Sequence, residues 1–341
     1  MTLLSSTIRL VEQAPLPDPL TNLGVQYLVG RTKTRLASLP AQYAQNFVRD
    51  MEHHPIAAHA EAANAQHYEL PSQFFALTLG SRRKYSCCLY PKGDETLAEA
   101  ERLALRETVE HAALADGQRI LELGCGWGAL TLFMAERYPN AKITAVSNST
   151  PQRHFIEAEA KARGVGNITV ITADMNDFQA SGKFDRVVSV EMFEHMSNWS
   201  SLLKRIRSWL APDGRLFVHV FSHRSQPYRF DHGDRADWIA QHFFTGGIMP
   251  SHGLMAMFPD LFEVESDWQW NGLNYQRTAL DWLANFDANL PRIDAILRDV
   301  YGADAALWRR RWRLFYLATA GLFGHADGKE WGVSHYRLRP A

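Results

Sequence analysis

A glycine-rich turn between an apolar run and a helix-compatible run sharply limits the folds open to this chain. The apolar run 120–123 enters the turn, the turn occupies residues 124–128, and the segment 129–138 leaves it. This order of strand, tight turn and helix is typical of the first unit of a doubly wound α/β sheet. Gly124 and Gly126 permit positive φ angles, so the backbone there can approach a ligand closely.

The glycine spacing and a neighbouring acid indicate which ligand this turn would accept. The spacing is G-x-G-x-G rather than the dinucleotide pattern G-x-G-x-x-G, and Glu122 precedes the glycines. A pyrophosphate would meet the negative charge of Glu122, whereas a ligand with an amino group and a sulfonium would not be repelled. The turn therefore favours S-adenosylmethionine over NAD. The alternative is a glycine turn with a purely structural role.

Composition and charge argue against several classes of function. The 341 residues, 46% of them hydrophobic, suffice for an α/β domain and roughly one more module. The net charge of -1 shows no excess of the basic residues with which proteins bind nucleic acids. No apolar run approaches the ~20 residues that span a bilayer, and residues 1–15 lack a signal-peptide pattern.

The cysteine content and the absence of a spanning segment bear on location and partners. The 3 cysteines predict neither a disulfide framework nor a metal site, so a reducing cytoplasm is the simplest location. Peripheral contact with a lipid surface stays open, because such contact needs no spanning helix. A homodimer formed through the N-terminal helices stays open as well.

Hydrophobic periodicity predicts an alternation of helices and strands, the pattern of an α/β fold. The predicted strands are 119–123, 142–147, 167–172, 184–191, 215–221, 263–270 and 331–338. The predicted helices are 25–36, 42–51, 72–79, 97–114, 129–138, 150–163, 199–210, 275–286 and 305–323. We therefore predict a doubly wound, Rossmann-like sheet with helices on both faces.

Two parts of the chain are predicted to cover this sheet. Residues 1–95 form a helical cap and a lid over the substrate and cofactor, and within them residues 83–88 are predicted to be an exposed loop. Thr96 and Glu99 form a capping-box pattern that opens the domain 96–341. A loosely patterned insertion at about 222–290 is predicted to complete the cap, since such long loops are usually functional.

Candidate ligand residues follow the second and third predicted strands, where open α/β sheets bind ligands. Asn148 and Gln152 offer neutral amides where many methyltransferases of this fold carry a carboxylate for the ribose hydroxyls. Asp174 and Met175 follow the third strand, where a carboxylate and backbone N–H groups can bind an adenine edge. The alternative for Asp174 is a cap of the next helix.

Candidate catalytic residues follow the fourth strand. Glu191, Glu194 and His195 lie within five residues, and crowded acids raise one another's pKa while a histidine titrates near neutrality. Such a group suits a general base or a cradle for a cationic substrate. The alternative is a surface acid pair. His219 lies on the apolar fifth strand and is either a satisfied core residue or part of the same site.

These segments together resemble the cyclopropane-fatty-acid synthase superfamily of S-adenosylmethionine enzymes, most closely its coclaurine and pavine N-methyltransferase branch. The matching stretches are 64–71, 84–88, 123–128, 192–196, 243–247 and 330–331, in that order along the chain. The resemblance implies a class I S-adenosylmethionine-dependent methyltransferase fold. It also implies that one side of the site holds the cofactor and another side holds the substrate.

The resemblance assigns a role to each candidate residue. The methionine part of the cofactor would lie against Tyr85, Ser86 and the glycine turn with Glu122, Gly124 and Gly126. The ribose would lie against Asn148 and Gln152, and the adenine against Asp174 and Met175. The substrate amine would face Glu69, Glu194 and His195, with Glu191 as a further acid of that site.

Cyclopropane synthases, the other branch, hold a bicarbonate ion that accepts a proton. The positions that match this ion site are Cys87, Glu194, His219, the backbone of Phe221, and a tyrosine placed at either Phe315 or Tyr316. Two departures favour the N-methyltransferase branch. Glu191 stands where cyclopropane synthases tend to carry glycine, and the motif at 244–247 reads Phe-Thr-Gly-Gly rather than Phe-Pro-Gly-Gly.

The leading hypothesis is methylation of an amine on an aromatic or heterocyclic small molecule. An alkylammonium has no lone pair, so His195, tuned by Glu194, would accept a proton while Glu69 and Glu191 orient the cation. The aromatic residues of segment 238–258, with Trp268 and Trp270, either contact the substrate or form the cap core. The rival hypotheses are methylene transfer to unsaturated phospholipid chains with bound bicarbonate, and cofactor binding without turnover.

Overall fold

The chain is built around a central sheet that a computed structural model describes together with its covering helices, over residues 12–13, 16–58, 70–234 and 237–341. The sheet has 7 strands in the order β3-β2-β1-β4-β5-β9-β8. The strands are β1 (Arg119–Leu123), β2 (Lys142–Ser147), β3 (Ile168–Thr172), β4 (Phe184–Val190), β5 (Leu210–His223), β6 (Tyr228–Arg229), β7 (Ile248–Met249), β8 (Phe262–Asn271) and β9 (Trp331–Pro340). β6 and β7 form a separate pair.

Strand direction confirms the predicted doubly wound α/β class. β1 to β5 pair in parallel, and β9 runs antiparallel to both of its neighbours, β5 and β8. β1 is an interior strand of the sheet and is buried on both faces, which explains its nearly continuous apolar run. Because β2 and β4 leave β1 in opposite directions across the sheet, a crevice opens at the carboxyl ends of these strands.

The helices begin and end close to the predicted bounds in most cases. They are α1 (Asp18–Ala37), α2 (Tyr43–Met51), α3 (Ser72–Thr78), α4 (Leu97–His111), α5 (Ala129–Arg137), α6 (Thr150–Arg163), α7 (Trp199–Trp209), α8 (Trp238–His242), α9 (Leu273–Ala288), α10 (Leu290–Tyr301) and α11 (Ala305–Phe323). The predicted capping box opens α4: the Thr96 side chain accepts the Glu99 N–H, and the Glu99 side chain accepts the Thr96 N–H. Over the described ranges, no helix combines the length and apolarity needed to cross a bilayer.

A helical layer of α1, α3, α9, α10 and α11 packs together beside the sheet. Trp312 of α11 is fully buried there and contacts the rings of Phe74, Phe75 and Phe243. Arg313 binds carboxylates of α1 and α9, which joins three helices of the layer. The predicted cap insertion ended at about residue 290, whereas this helical layer continues to the end of α11 at Phe323. The layer also includes α10, a helix that the sequence analysis missed. The division at residue 95 stays a prediction.

The prediction of an exposed loop at residues 83–88 is wrong, because most of this segment is buried. Lys84 is 2% exposed, and its ammonium donates to Ser86 Oγ at 2.6 Å and to the Cys87 carbonyl at 2.5 Å. The Cys88 N–H donates to Thr278 Oγ1 on α9 at 3.0 Å. Lys84 is therefore satisfied internally, and the segment contacts α9 through Cys88, a contact that the local sequence does not reveal.

Candidate active site

A cleft lies at the carboxyl ends of the parallel strands, where the fold predicts a ligand site. It contains about 760 Å³ of empty space, part of it open to solvent. Its lining residues come from the glycine turn, from the ends of β2, β3 and β4, and from the N-terminal segment before residue 59. They are Ala57, Ala58, Gly124, Gly126, Val146, Ser147, Asn148, Gln152, Ala173, Asp174, Met175, Glu191, Met192, His195, Met196 and Thr245.

The glycine turn presents its backbone to this cleft. Gly124 has φ +80°, and a Cβ at this position would lie 2.6 Å from the side chain of Met192. The N–H groups of Gly124 and Cys125 both donate to the Val146 carbonyl, at 2.9 and 3.0 Å, which fixes the turn against β2. Gly126 has φ +52° and no atom within 4 Å of a Cβ position. The turn therefore packs tightly against Met192 at Gly124, whereas the space beside Gly126 is open.

The two amides predicted to hold a ribose both line the cleft. The Ser147 hydroxyl donates to Gln152 Oε1 at 2.6 Å and accepts the Ser149 N–H at 3.1 Å. Gln152 is 1% exposed, and its Nε2 has no hydrogen-bond partner among the described residues. Because a buried donor without a partner is costly, this amide group suits a ligand oxygen such as a ribose hydroxyl.

The end of β3 supplies the acid predicted to face adenine. Asp174 Oδ1 accepts the Asn176 N–H at 2.7 Å, and Met175 lines the cleft beside it. The Asn176 side chain makes a two-way contact with Ala57, donating to its carbonyl and accepting its N–H, each at 3.0 Å. This contact brings Ala57 and Ala58 to the cleft, a contribution that the sequence analysis missed. The residues present fit the adenosyl part of S-adenosylmethionine.

Glu122, which the sequence analysis assigned to the cofactor, does not line the cleft. Its side chain is buried, accepts the Thr131 hydroxyl at 2.6 Å, and is not part of the cleft lining. Burial raises the pKa of Glu122 to about 8, although the bond from Thr131 acts in the opposite direction. The physical reason is the side-chain alternation of β1, which turns this carboxyl toward α5.

Glu122→Gln should make the free energy of unfolding less dependent on pH. A carboxyl whose pKa rises from 4.5 to about 8 on folding favours the folded state fully below pH 4.5 and loses that contribution as pH rises to about 8. At about 1.4 kcal/mol for each pKa unit, the difference is on the order of a few kcal/mol. We expect urea denaturation to show a smaller stability loss from pH 5 to pH 8 in the variant.

The same variant tests the cofactor contact. Affinity for S-adenosylhomocysteine, measured by calorimetry, should stay within about twofold of the wild-type value, because Glu122 does not line the cleft. Glu157→Gln on the exposed face of α6 is the matched control for both measurements. If Glu122→Gln left the pH dependence of the free energy of unfolding unchanged and strongly weakened S-adenosylhomocysteine binding, the structural role of Glu122 would be contradicted.

Three other assigned residues lie outside the cleft lining or outside the described ranges. The Tyr85 ring packs against Phe75 and Trp282, with ring centroids 5.5 and 5.6 Å apart. Ser86 is buried, and its hydroxyl accepts the Lys84 ammonium. Neither of these two lines the cleft. Glu69 falls outside the described residues, so its predicted contact with the substrate stays a prediction.

Glu191 connects the cleft to a buried group of donors. Its backbone adopts φ +47°, in the left-handed region. Its Oε1 accepts the Cys87 N–H at 2.9 Å and lies 3.2 Å from His219 Nε2, and its Oε2 accepts the Tyr275 hydroxyl at 2.6 Å. Burial raises the pKa of Glu191, while the nearby Lys84 ammonium and the bonds from Tyr275 and Cys87 act in the opposite direction.

Glu194 and His195 lie on a short 3₁₀ turn, Phe193–His195, directly after β4. Glu194 is fully buried and lies outside the cleft lining; its Oε1 accepts the Phe221 N–H at 2.8 Å, and its Oε2 has no partner among the described residues. Burial and the neighbouring Glu191 raise the pKa of Glu194 well above its usual range. His195 lines the cleft and stacks on Phe244, with ring centroids 4.7 Å apart.

His219 belongs to this site rather than to a purely apolar core. It is fully buried, and burial holds its pKa well below the usual value, so the imidazole is neutral. A neutral ring with its proton on Nε2 donates to Glu191 Oε1 at 3.2 Å. His219 also packs against His335 and Trp270, which fixes the ring from behind. It lies outside the cleft lining and contacts the cleft residue Glu191.

The tyrosine that contacts Glu191 is Tyr275, which the sequence analysis missed. Phe315 and Tyr316, the two positions considered, lie in the helical layer, where their rings pack against Trp312. Tyr275 lies in the first turn of α9 and stacks on Phe323 with centroids 4.3 Å apart. Its contact with Glu191 spans 84 residues, so only the three-dimensional arrangement reveals it.

The residues present do not fit a bound bicarbonate. The Cys87 N–H and the His219 side chain, both assigned to the ion by resemblance, contact the carboxylate of Glu191. The Phe221 N–H, assigned to the same ion, donates to Glu194. Protein carboxylates therefore occupy the donors that a free ion would need.

Most aromatic residues of the segment 238–258 form core rather than cleft wall. Trp238 and Phe243 are buried in the same cluster as the helical layer. Trp268 stacks on His111 with centroids 3.8 Å apart, and Trp270 packs against His219 and His335. Phe244 is the member of this segment that stacks on a cleft residue, His195. The aromatic content of this segment is thus mainly structural.

Comparison with protein families agrees with this geometry. Residues 57–326 match the family model described as mycolic acid cyclopropane synthetase. An (S)-coclaurine N-methyltransferase of Thalictrum flavum subsp. glaucum is 37% identical over 295 residues, covering 85% of this chain and 82% of the relative. A cyclopropane-fatty-acyl-phospholipid synthase of Escherichia coli (strain K12) is 29% identical, covering 79% of this chain and 66% of that protein.

Comparison with solved structures extends the similarity to the whole fold. Coclaurine N-methyltransferase bound to N-methylheliamine and S-adenosylhomocysteine matches with a TM-score of 0.94 at 32% identity, covering 98% of this chain and 99% of the other. A cyclopropane synthase of Mycobacterium tuberculosis matches in fold, with a TM-score of 0.70 at 22% identity, covering 84% and 99%. The predicted class I fold and family are confirmed. The chain belongs to the mycolic acid cyclopropane synthetase family of S-adenosylmethionine-dependent methyltransferases.

Proposed function

We propose that the chain transfers the methyl group of S-adenosylmethionine to the nitrogen of a small cyclic amine. The observation that carries this proposal is that Glu191 and His195 line the cleft, with the fully buried carboxyl of Glu194 next to His195 in the chain. Paired carboxylates attract a cation, and an adjacent imidazole can accept its proton. The similarity to N-methyltransferases of alkaloid amines supports the same substrate class.

Amine methylation requires that one proton leave the substrate first. The cofactor supplies an electrophilic methyl group on sulfur. The nitrogen lone pair forms the new C–N bond, the C–S bond breaks, and its electron pair stays on sulfur. Glu194 Oε2, which has no partner among the described residues, and the neighbouring His195 are the groups placed to accept the ammonium proton. Solvent takes up this proton after the products leave.

Electrostatics favours a cationic substrate at this position. The Glu191 side chain is 7% exposed and Glu194 is fully buried, and the pKa of Glu194 is raised first by burial and then by the charge of Glu191. An entering ammonium relieves this repulsion, because it neutralises part of the buried negative charge. A neutral alkene chain would leave the two acids uncompensated. The site thus discriminates by charge as well as by shape.

The wall of the cleft indicates the size and shape of the substrate. Met192, Met196 and Thr245 line the cleft beside His195, and the His195 ring lies parallel to Phe244 within 16°. Methionine side chains adapt to varied apolar surfaces and contact aromatic rings favourably. A small ring system that carries a basic nitrogen would satisfy both the apolar wall and the acidic end. The cytoplasmic location and the homodimer stay predictions.

The experiment that tests this function measures transfer of labelled methyl from S-adenosylmethionine to two sets of acceptors. The first set contains benzylisoquinolines and simple cyclic amines, and the second contains phospholipid vesicles with unsaturated acyl chains. We expect label in the amine fraction and a mass increase of one methyl group on nitrogen. Vesicles should remain unlabelled, because the donors of an ion-assisted mechanism are occupied by Glu191 and Glu194.

Two results would overturn the proposal. Label confined to the acyl chains would assign the chain to lipid methylation. Tight binding of S-adenosylhomocysteine with no labelled product in either set would indicate a binding module without turnover. Glu157→Gln, which alters an exposed residue of α6, serves as the matched control that keeps full activity.

A further inference from the structure

A short segment after α2 forms part of the cleft wall and is held there by two asparagine side chains. We call residues 54–58 the strap, and its last two residues line the cleft. Asn176 accepts the Ala57 N–H and donates to the Ala57 carbonyl, each at 3.0 Å. Asn198 Nδ2 donates to the His54 carbonyl at 2.9 Å. Side-chain amides therefore fix the backbone of the strap at both of its ends.

The two asparagines stand on opposite sides of the cleft. Asn176 lies just after β3, where its own N–H donates to Asp174 Oδ1 at 2.7 Å. Asn198 lies just after the 3₁₀ turn that follows β4, and the adjacent Ser197 N–H donates to the Ile56 carbonyl at 2.7 Å. Because β2 and β1 lie between β3 and β4 in the sheet, the strap reaches across the cleft from one side to the other.

Both asparagines are fixed from behind, so the strap is the part of this arrangement that can move. Arg205 Nη1 donates to the carbonyls of Met175 and Asn176, at 3.0 and 2.7 Å. Asn198 Oδ1 accepts the Ser201 N–H at 2.9 Å and so caps α7. The strap itself lies in neither a helix nor a strand. Such segments open at a lower free energy than the strands of a sheet.

We propose that Asn176 and Asn198 are positioning residues that hold the strap across the cleft and thereby limit how fast the cofactor product leaves. Loops that close over a bound ligand commonly set the rate of product release. The strap places Ala57 and Ala58 in the same lining as the residues at the end of β3. Neither asparagine lines the cleft, so each acts through the strap. The proposal concerns release of the cofactor product and holds for any methyl acceptor.

The test measures binding and dissociation of S-adenosylhomocysteine by surface plasmon resonance with the full chain immobilised. Asn176→Ala removes both side-chain bonds to Ala57. We expect its dissociation rate constant to rise about tenfold, the effect of two lost hydrogen bonds, and its association rate constant to stay within about threefold. Asn198→Asp keeps the acceptor that caps α7 but cannot donate to the His54 carbonyl, so it should raise the dissociation rate constant by about threefold.

Asn167→Ala is the matched control. Asn167 lies before β3, at the end of the sheet away from the cleft, and its Nδ2 donates to the Tyr138 carbonyl at 2.8 Å. This variant should lower Tm without changing either rate constant, which separates loss of stability from loss of the strap. A folded Asn176→Ala with the wild-type dissociation rate constant contradicts the proposal, as does an equal rise in Asn167→Ala.

Asn198→Asp decides the question by the same criterion if Asn176→Ala does not fold, because it releases the other end of the strap. A wild-type dissociation rate constant in folded Asn198→Asp would then overturn the proposal. Both rate constants are measured without an acceptor, so failure of amine methylation would leave this result unchanged.

Discussion

Glu194→Gln should lower kcat for amine methylation by about 100- to 10,000-fold, the usual contribution of a positioned general base. The amide still accepts the Phe221 N–H at the Oε1 position, so the local backbone is retained. It places a weakly basic group where Oε2 now has no partner among the described residues, so a proton can no longer be accepted there. His195→Phe keeps the stacking on Phe244 but removes the imidazole, and a loss of similar size is expected.

The pH dependence of these variants separates a base from a structural residue. Because burial and Glu191 raise the pKa of Glu194, the ionised fraction grows as pH rises, and kcat/KM of the wild-type enzyme should rise with it. Glu194→Gln should lose this limb of the profile while its affinity for S-adenosylhomocysteine stays unchanged. A variant with a normal pH profile and wild-type kcat would show that Glu194 accepts no proton.

Gly124→Ala should lower the free energy of unfolding far more than the same substitution at Gly117, a glycine with a similar φ angle. Gly124 has φ +80°, and the added Cβ would lie 2.6 Å from Cβ and Cγ of Met192. Real Cβ atoms do not approach so closely, so β1, the turn or the Met192 segment must shift. We expect the free energy of unfolding to fall by about 2–5 kcal/mol, from left-handed strain and overpacking together.

Gly117→Ala is the matched control for this effect. Gly117 has φ +82°, close to that of Gly124, but no atom lies within 4 Å of its Cβ position. This variant should lose only about 1–2 kcal/mol, the cost of the left-handed backbone. Urea denaturation of the two variants isolates the contact with Met192. Equal losses in both would mean that packing behind the glycine turn contributes nothing to stability.

Local patterns predicted those elements whose side chains follow a single clear period. β1, β2, α6 and α11 have the predicted bounds, because apolar runs, capping residues and glycine turns mark their ends. α10 was missed because its amphipathic stretch lies between two longer helices, with a proline at its start. The same reasoning placed Asn148 and Gln152 at the cleft, since both follow a strand at its carboxyl end.

Contacts between distant segments account for what the sequence could not predict. Tyr275 meets Glu191 because α9 folds back over the segment 83–88, and no local pattern encodes that return. The burial of Lys84 has the same origin, because a cation in a polar run is ordinarily exposed. Glu122 was assigned to the cofactor from its position in the motif, but strand alternation directs its carboxyl toward Thr131.

A crystal structure with S-adenosylhomocysteine and an N-methylated tetrahydroisoquinoline would locate the substrate nitrogen relative to Glu194 and His195. We expect the amine nitrogen to lie about 2.6–3.2 Å from Glu194 Oε2 or from a ring nitrogen of His195, directly or through one water. The nitrogen should also point toward the sulfur atom of the cofactor product. An amine nitrogen that faces solvent or the apolar wall, away from both residues, would contradict the role proposed for Glu194 and His195.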